Sequence, residues 1–351
     1  MAKITHNFIE PESLFTILGQ TEPEPRMTPL ARIAAAAPLA DTGCLTEYRP
    51  LRSRSIVSKV VSKRGTPFSH AINPYRGCEF GCRYCYARYT HEFLEMRDPQ
   101  EFERKIYFKE NAAWVLRQDL RSLRPGTVIG IGTATDPYQP LERRQRITRS
   151  IFEVFAEVGG FRLGLITKSA LVLRDLELLQ AVARRNQLGI HITITTMDTR
   201  LARILEPRAP RPDMRMHAVA QLRKAGLRAG VMCSPLMPGI TDSRASISAV
   251  ARAAAEAGAN FLHAGALFLK PCSQPVFFQF VRENFPALEK SYQQRYGQSA
   301  FVSAEYRKRV SELVESIRRE FKLGERTQFG EAFAKQRIEP VSPQPWLPFS
   351  A

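Results

Sequence analysis

Three cysteines stand within eight residues, at Cys78, Cys82 and Cys85, in the stretch INPYRGCEFGCRYCYARY that runs from Ile72 to Tyr89. Thiolates at such spacing hold zinc or an iron–sulfur cluster, and both normally take four protein ligands. No fourth cysteine follows nearby. On a 4Fe–4S cluster, three thiolates leave one iron open to a small molecule. A mononuclear zinc site would instead borrow a distant ligand such as His70, His91 or another cysteine, but the second CxxC-like half that short zinc motifs use is missing. Gly77 and Gly81 precede Cys78 and Cys82, as a loop folded tightly round a metal centre requires.

Something must carry this loop. Six short apolar, β-branched or Gly-containing runs recur along the chain: SHAIN (69–73), TVIGIGTAT (127–135), FRLGLITKS (161–169), GIHITITTM (189–197), LRAGVMCSP (227–235) and NFLHAGALF (260–268). Helical patterns separate them. LERRQRITRSIFEVFAEVGG puts Ile147, Ile151, Phe155 and Val158 on one stripe and stops at Gly159. SALVLRDLELLQAVARR has Ser169 as its cap and Leu173, Leu176 and Leu179 together. DSRASISAVARAAAEAG opens on an Asp–Ser cap and stops at Gly258, as the helix before it stops at Gly226. This alternation predicts an α/β fold of βα units on a parallel sheet, and six units suit a partial (β/α)6 TIM-type barrel. Chemistry in such barrels collects after the strand C-termini, where the cysteines follow the first run. In the long first connection, EFERKIYFK alternates Phe102, Ile106 and Phe108 against charges, and predicts an added edge strand.

The cysteine spacing, with aromatic Tyr84 before the last cysteine, resembles the radical S-adenosylmethionine superfamily. The fuller string TPFSHAINPYRGCEFGCRYCYAR, with GTATDPYQPLE, ITKSALVLRDLELL, TTMDTRLARILEPRAPRPDMR and SPLMPGITD, is similar to its spore photoproduct lyase-like subgroup from about Thr66 to Gly324. The resemblance implies the same partial barrel, one 4Fe–4S cluster on Cys78, Cys82 and Cys85, and S-adenosylmethionine chelating the open iron. A reduced cluster then cleaves the sulfonium and yields a 5′-deoxyadenosyl radical; the protein binds, orients and excludes water. A flavodoxin- or ferredoxin-type donor is the expected source of the electron.

Candidate cofactor residues sit at the strand ends. Tyr84 is placed to cover the adenine. Thr135 and Asp136 match the part that meets the methionyl amino group in relatives, although an Asp before Pro137 also suits a loop cap. Lys168, a cation at a helix start where the dipole disfavours it, is a partner for the cofactor carboxylate. Thr195 or Thr196, and more weakly Ser234, are candidates for the ribose hydroxyls, with strand filler the plainer reading of either threonine. Among Cys44, Cys233 and Cys272, the plain reading is small buried hydrophobes. His191 and His263 lie within strands and receive no role. Spore photoproduct lyase uses a cysteine hydrogen donor beside the second-strand motif, where this chain has Ala134; Cys233 is the weak substitute, and dimer repair is in doubt.

The 351 residues carry a formal net charge of +17, with 44% hydrophobic and 24% charged residues. That profile is globular and suits a polyanionic partner, DNA or RNA, as well as it suits a solvated basic surface. No apolar run is long enough to span a bilayer and the N-terminus lacks signal-peptide order, so a cytoplasmic protein with no membrane partner is expected. Six cysteines make no disulfide scaffold. The expected organisation is an irregular arm (1–55), the barrel core (56–270), a helical region packing on it (271–324) and a Pro-rich tail (325–351). The leading function is radical hydrogen abstraction from nucleic acid. The alternatives are a peptide, protein or small-metabolite substrate, or a non-catalytic iron–sulfur protein that senses redox state or binds nucleic acid. Oligomeric state is left open.

Overall fold

The structure, a computed structural model, describes residues 27–43, 45–61 and 67–326. Six strands, His70–Ile72, Val128–Ile131, Arg162–Thr167, Gln187–Thr193, Ala229–Leu236 and Leu262–Ala266, lie side by side in chain order, each parallel to the next. Each of the six apolar runs supplies one strand, and the result is the expected partial barrel. Val57–Lys59 pairs antiparallel with the first strand and extends that edge. The opposite edge is covered: Phe261 bridges Gly324, and the helix Ala304–Glu320 packs on the last strand and on the helix Arg244–Glu256. Covering an edge removes a template for unwanted pairing.

Alternation along the strands sorts their residues between two faces. Leu163, Leu165, Ile190, Ile192, Val231 and Cys233 belong to the apolar core and are at most 1% exposed. Inside the barrel the residues are smaller or more polar. A Cβ on Gly164 would stand 2.5 Å from the Phe68 ring, and one on Gly230 would stand 2.6 Å from the Phe261 ring. The two glycines thus make room for two phenylalanines that close the lower end of the barrel.

Local signals set most helix boundaries. Ser243 Oγ accepts the Ser246 N–H at 3.1 Å and starts Arg244–Glu256. Ser169 Oγ accepts from Leu171, but what it starts is a 3₁₀ stretch, Ala170–Asp175, before the α-helix Leu176–Arg185. The pattern from Leu141 to Gly159 reads as one helix and is two, Glu142–Gln145 and Ile147–Glu157, broken at Arg146 in the left-handed region (φ 52°). Buried Glu142 explains the break. Its carboxylate accepts the Thr148 N–H at 2.8 Å and the Arg149 N–H at 3.2 Å, capping the second helix.

Two expectations are corrected. The segment EFERKIYFK forms a helix, Glu101–Arg104, and a strand, Lys105–Phe108, but that strand does not extend the barrel. It joins a separate four-stranded sheet in the order Asp41–Thr42, Glu47–Pro50, Lys105–Phe108, Tyr75–Arg76. The irregular arm therefore contains two strands and a helix, Pro29–Ala36, from residue 29 to residue 50. Strands of two to four residues leave too little alternation to read. Residues 1–26, Cys44 and most of the Pro-rich tail lie outside the described residues. Among the described residues no helix is long and apolar enough to cross a membrane. Phe277, Tyr292 and Tyr296 of the C-terminal helices are fully buried, so these aromatics are core.

Candidate metal and cofactor site

A cavity of about 340 Å³ opens at the C-terminal ends of the barrel strands, and Cys78, Cys82 and Cys85 all line it. Their loop is held from several directions. Gly77 adopts φ +84°, and a Cβ there would sit 2.7 Å from the Phe102 carbonyl oxygen. Only glycine fits that conformation and that approach. The Gly77 carbonyl accepts from Thr135 Oγ1 at 2.6 Å and Gln139 Nε2 at 3.3 Å. Glu79, inside the loop, accepts from Tyr48 Oη at 2.7 Å and the Leu141 N–H at 2.9 Å. The N-terminal sheet is thereby tied to the cysteines. Arg88 donates to the Cys82 carbonyl at 3.2 Å, and Ser273 Oγ to the Cys85 carbonyl at 2.7 Å.

Burial pushes the Cys82 thiol up to about 12, against the pull of the Lys168 ammonium. Burial also raises Cys78 and Cys85, with Arg88 opposing it at Cys85. Metal binding here must displace protons, as thiolate ligation always does. Among the described residues no three His, Cys, Asp or Glu side chains converge on one ion position. All three thiols line the one cavity, and a tetrahedral zinc site would need a fourth ligand beside them. His91 and His70 are not its missing ligand. His91 Nε2 lies 2.9 Å from the Lys105 carbonyl oxygen and His70 Nδ1 lies 3.0 Å from Ser69 Oγ; neither lines the cavity.

Thr135, Asp136, Lys168, Ser234 and Tyr84 line the same cavity as the thiols. Asp136 accepts from Tyr138 N–H (2.9 Å), Thr167 Oγ1 (2.6 Å) and Lys168 N–H (2.7 Å), so it clasps the ends of the second and third strands. Burial raises its pKa, and those donors oppose the rise. The Lys168 ammonium lies 5.7 Å over the Tyr84 ring. Burial works against its charge, yet Cys82, Glu206 and Asp136 together hold its pKa above the usual lysine value. Ser234 Oγ is buried and has no hydrogen-bond partner. An orphaned hydroxyl in a cavity that also holds a cation and three thiols fits a polar, zwitterionic ligand chelating a cluster.

Two candidates fall elsewhere. Thr195 lies beyond the end of its strand and donates to Glu206 Oε1 at 3.4 Å; from that strand the cavity receives Thr193 instead. Cys233 alternates with cavity-lining Met232 and Ser234 and so faces the other way, its thiol 3.7 Å from the Thr195 carbonyl oxygen. Its side chain is 0% exposed and does not line the cavity. Ala134 does line the cavity.

The structure also adds residues. Glu206 and Arg215 form a fully buried ion pair at 2.6 Å; Tyr84 Oη donates to Glu206, and Arg215 donates to the Thr193 carbonyl at 3.0 Å. His263, Met232, Phe268 and Tyr86 complete much of the lining. Phe268 packs on Tyr86 (ring centroids 5.0 Å) and stacks on Phe301 (5.2 Å).

Residues 72–248 match the family model described as the radical SAM superfamily. An uncharacterised protein of Mycobacterium tuberculosis is 32% identical over 278 residues, covering 79% of this chain and 81% of the relative. One from Methanocaldococcus jannaschii is 25% identical over 254 residues, 71% and 86% of the two chains. Among solved structures, a cysteine-to-serine variant of spore photoproduct lyase superposes with a TM-score of 0.60 at 18% identity, covering 86% of this chain and 85% of that one. A variant of the same lyase with bound AdoMet and dinucleoside spore photoproduct gives 0.57 at 15% identity, with the same coverage. At such identity the likeness is one of fold.

Proposed function

Because the chain belongs to the radical SAM superfamily, we propose that Cys78, Cys82 and Cys85 hold one 4Fe–4S cluster, that S-adenosylmethionine binds beside it, and that the protein is a radical enzyme acting on nucleic acid. The observation that carries the cofactor part is the cavity: three thiols line it together with Asp136, Lys168 and an unpartnered Ser234 hydroxyl. When bound, the reduced cluster and S-adenosylmethionine supply a 5′-deoxyadenosyl radical, with the electron coming from a flavodoxin- or ferredoxin-type donor.

The chain's own residues do the rest. Lys168 presents a charged ammonium to the methionyl carboxylate. Asp136 has three donors on its two oxygens, which leaves about one acceptor position for the methionyl ammonium. Ser234 gives its free hydroxyl to the ribose. Tyr84, anchored through Glu206 and Arg215, keeps the adenine side of the cavity rigid. Excluding water protects a reactive centre from side reactions.

The charge of +17 supports nucleic acid as the partner, as does the aromatic wall of Tyr86 and Phe268 at the cavity. The experiment is electron paramagnetic resonance of the reduced, reconstituted protein. A cluster signal that changes on adding S-adenosylmethionine supports the reading; a signal indifferent to it favours a redox-sensing or binding protein.

A further inference from the structure

A second, smaller cavity of about 80 Å³ lies at the other end of the barrel from the cysteines, where Val128 and Arg162 begin the second and third strands. Phe68, Val128 and Leu163 give it apolar lining, and Arg162, His191 and Arg326 are the polar side chains on it. Among the described residues no Asp or Glu lines it. Glu325, the neighbour of Arg326 in sequence, sends its carboxylate to Arg318 at 2.8 Å.

Two of the polar groups lack an acceptor. His191 is 6% exposed, and its Nδ1 is buried without a hydrogen-bond partner. Arg326 makes no hydrogen bond or ion pair among the described residues, and burial alone pulls its pKa below the usual guanidinium range. Burial holds His191 down to about 3, and Arg326, Arg228 and His263 all push the same way. The Arg228 guanidinium lies 4.8 Å over the Phe261 ring, which is itself 4.9 Å from the His191 ring. Buried donors without acceptors cost free energy, and so do like charges gathered away from water. A bound anion would remove both costs.

We propose that this lower cavity is a binding site for one small oxyanion, a phosphate or carboxylate group, held by the guanidinium groups of Arg162 and Arg326 and by an N–H of His191. The planar fork of arginine matches either group through two parallel hydrogen bonds. The space, less than a quarter of the cysteine-lined cavity, suits one such group rather than a whole nucleotide. Apolar neighbours strengthen each hydrogen bond by lowering the local dielectric. Arg162 stands on the third strand and His191 on the fourth, while Arg326 follows Gly324, which bridges Phe261 before the last strand. The anion would therefore brace two central strands against the segment that covers the barrel's far edge, and its binding should stabilise the fold.

The test titrates the cluster-loaded full chain with sodium phosphate and, separately, with sodium acetate by isothermal titration calorimetry. Sodium chloride holds the ionic strength constant, because attraction to exposed charge on a chain of +17 is screened by salt. One saturating site is expected for at least one of the two anions, and the anion that binds identifies the group. Arg326→Gln and His191→Phe should each weaken that site about tenfold, the loss of one hydrogen bond to a charged group, with Arg326→Lys weakened less than Arg326→Gln. Matched iron content shows that each variant has folded round its cluster. A second readout separates binding from a merely structural guanidinium. Without anion, the urea midpoint of Arg326→Gln should equal or exceed that of wild type, and the rise that the anion gives wild type should be absent from the variant. Three results overturn the proposal: no saturating site for either anion, a site unchanged in either Arg326→Gln or His191→Phe, or an anion-free Arg326→Gln midpoint below wild type.

Discussion

Asp136 is joined to Lys168 through the backbone: its Oδ2 accepts the Lys168 N–H at 2.7 Å, while the ammonium is left to lie 5.7 Å over the Tyr84 ring. The carboxylate therefore positions the lysine without neutralising it. Both consequences follow from where the third strand ends, at Thr167, whose hydroxyl takes the other Asp136 oxygen at 2.6 Å.

Replacing Asp136 with Asn removes the charge and points an amide NH₂ at groups that are donors themselves. Asp136→Asn is expected to weaken S-adenosylmethionine binding about tenfold or more, since hydrogen bonds to a charged group are each worth about 1.5–3 kcal/mol. Titration of the cluster signal with S-adenosylmethionine measures it. Affinity equal to wild type would show that the clasp is dispensable.

Glu206 and Arg215 are a fully buried pair, so removing one partner strands the other. Glu206→Gln or Arg215→Met should each cost about 3–5 kcal/mol in urea unfolding, and the double variant should recover part of that loss. Strictly additive losses would contradict a coupled pair.

Gly77 and Gly226 have similar positive φ values, +84° and +79°, but different surroundings. A Cβ on Gly226 meets nothing within 4 Å, whereas one on Gly77 collides with the Phe102 carbonyl. Gly226→Ala is expected to cost about 1 kcal/mol and to load iron normally. Gly77→Ala should displace the cysteine loop and lose most of its iron. Equal iron content in the two variants would refute the packing account.

Acid should destabilise the metal-free chain. Burial is the first cause that holds His91 and His263 at about 4 and His191 at about 3, below the ordinary 6.5. The unfolded chain takes these protons first as pH falls, so stability is complete above about 6.5 and declines toward 4. Each histidine contributes up to about 1.4 kcal/mol per pH unit within that window. Urea midpoints at about pH 7 and pH 5 measure the slope, which His191→Gln should reduce by about a third. An unchanged slope in that variant would place His191 in water.

The barrel was legible because buried parallel strands are short continuous apolar runs, and helices with clear stops separate them. The cysteine loop was legible because metal ligation demands a spacing. What stayed hidden depends on direction or on distant partners. Cys233 sits at a strand end that faces the cavity, but its place between Met232 and Ser234 turns it away; alternation read residue by residue would have shown this. The Gln187–Thr193 strand ends two residues before Thr195, which moved the cavity-facing position to Thr193. Glu206 follows the helix Thr199–Leu205 and Arg215 lies in the helix Pro212–Lys224. They meet only because the turn between the two helices folds the chain back, and His263 reads as an ordinary strand residue. The helix break at Arg146 needs Glu142 as a buried cap, and no periodicity signals that.

The most direct measurement is 5′-deoxyadenosine formed by the anaerobically reconstituted, reduced protein supplied with S-adenosylmethionine, with and without DNA or RNA. Formation in wild type, its absence in Cys78→Ala, and stimulation by one nucleic acid are the predicted result. An intact cluster that yields no 5′-deoxyadenosine with a competent reductant would contradict the account.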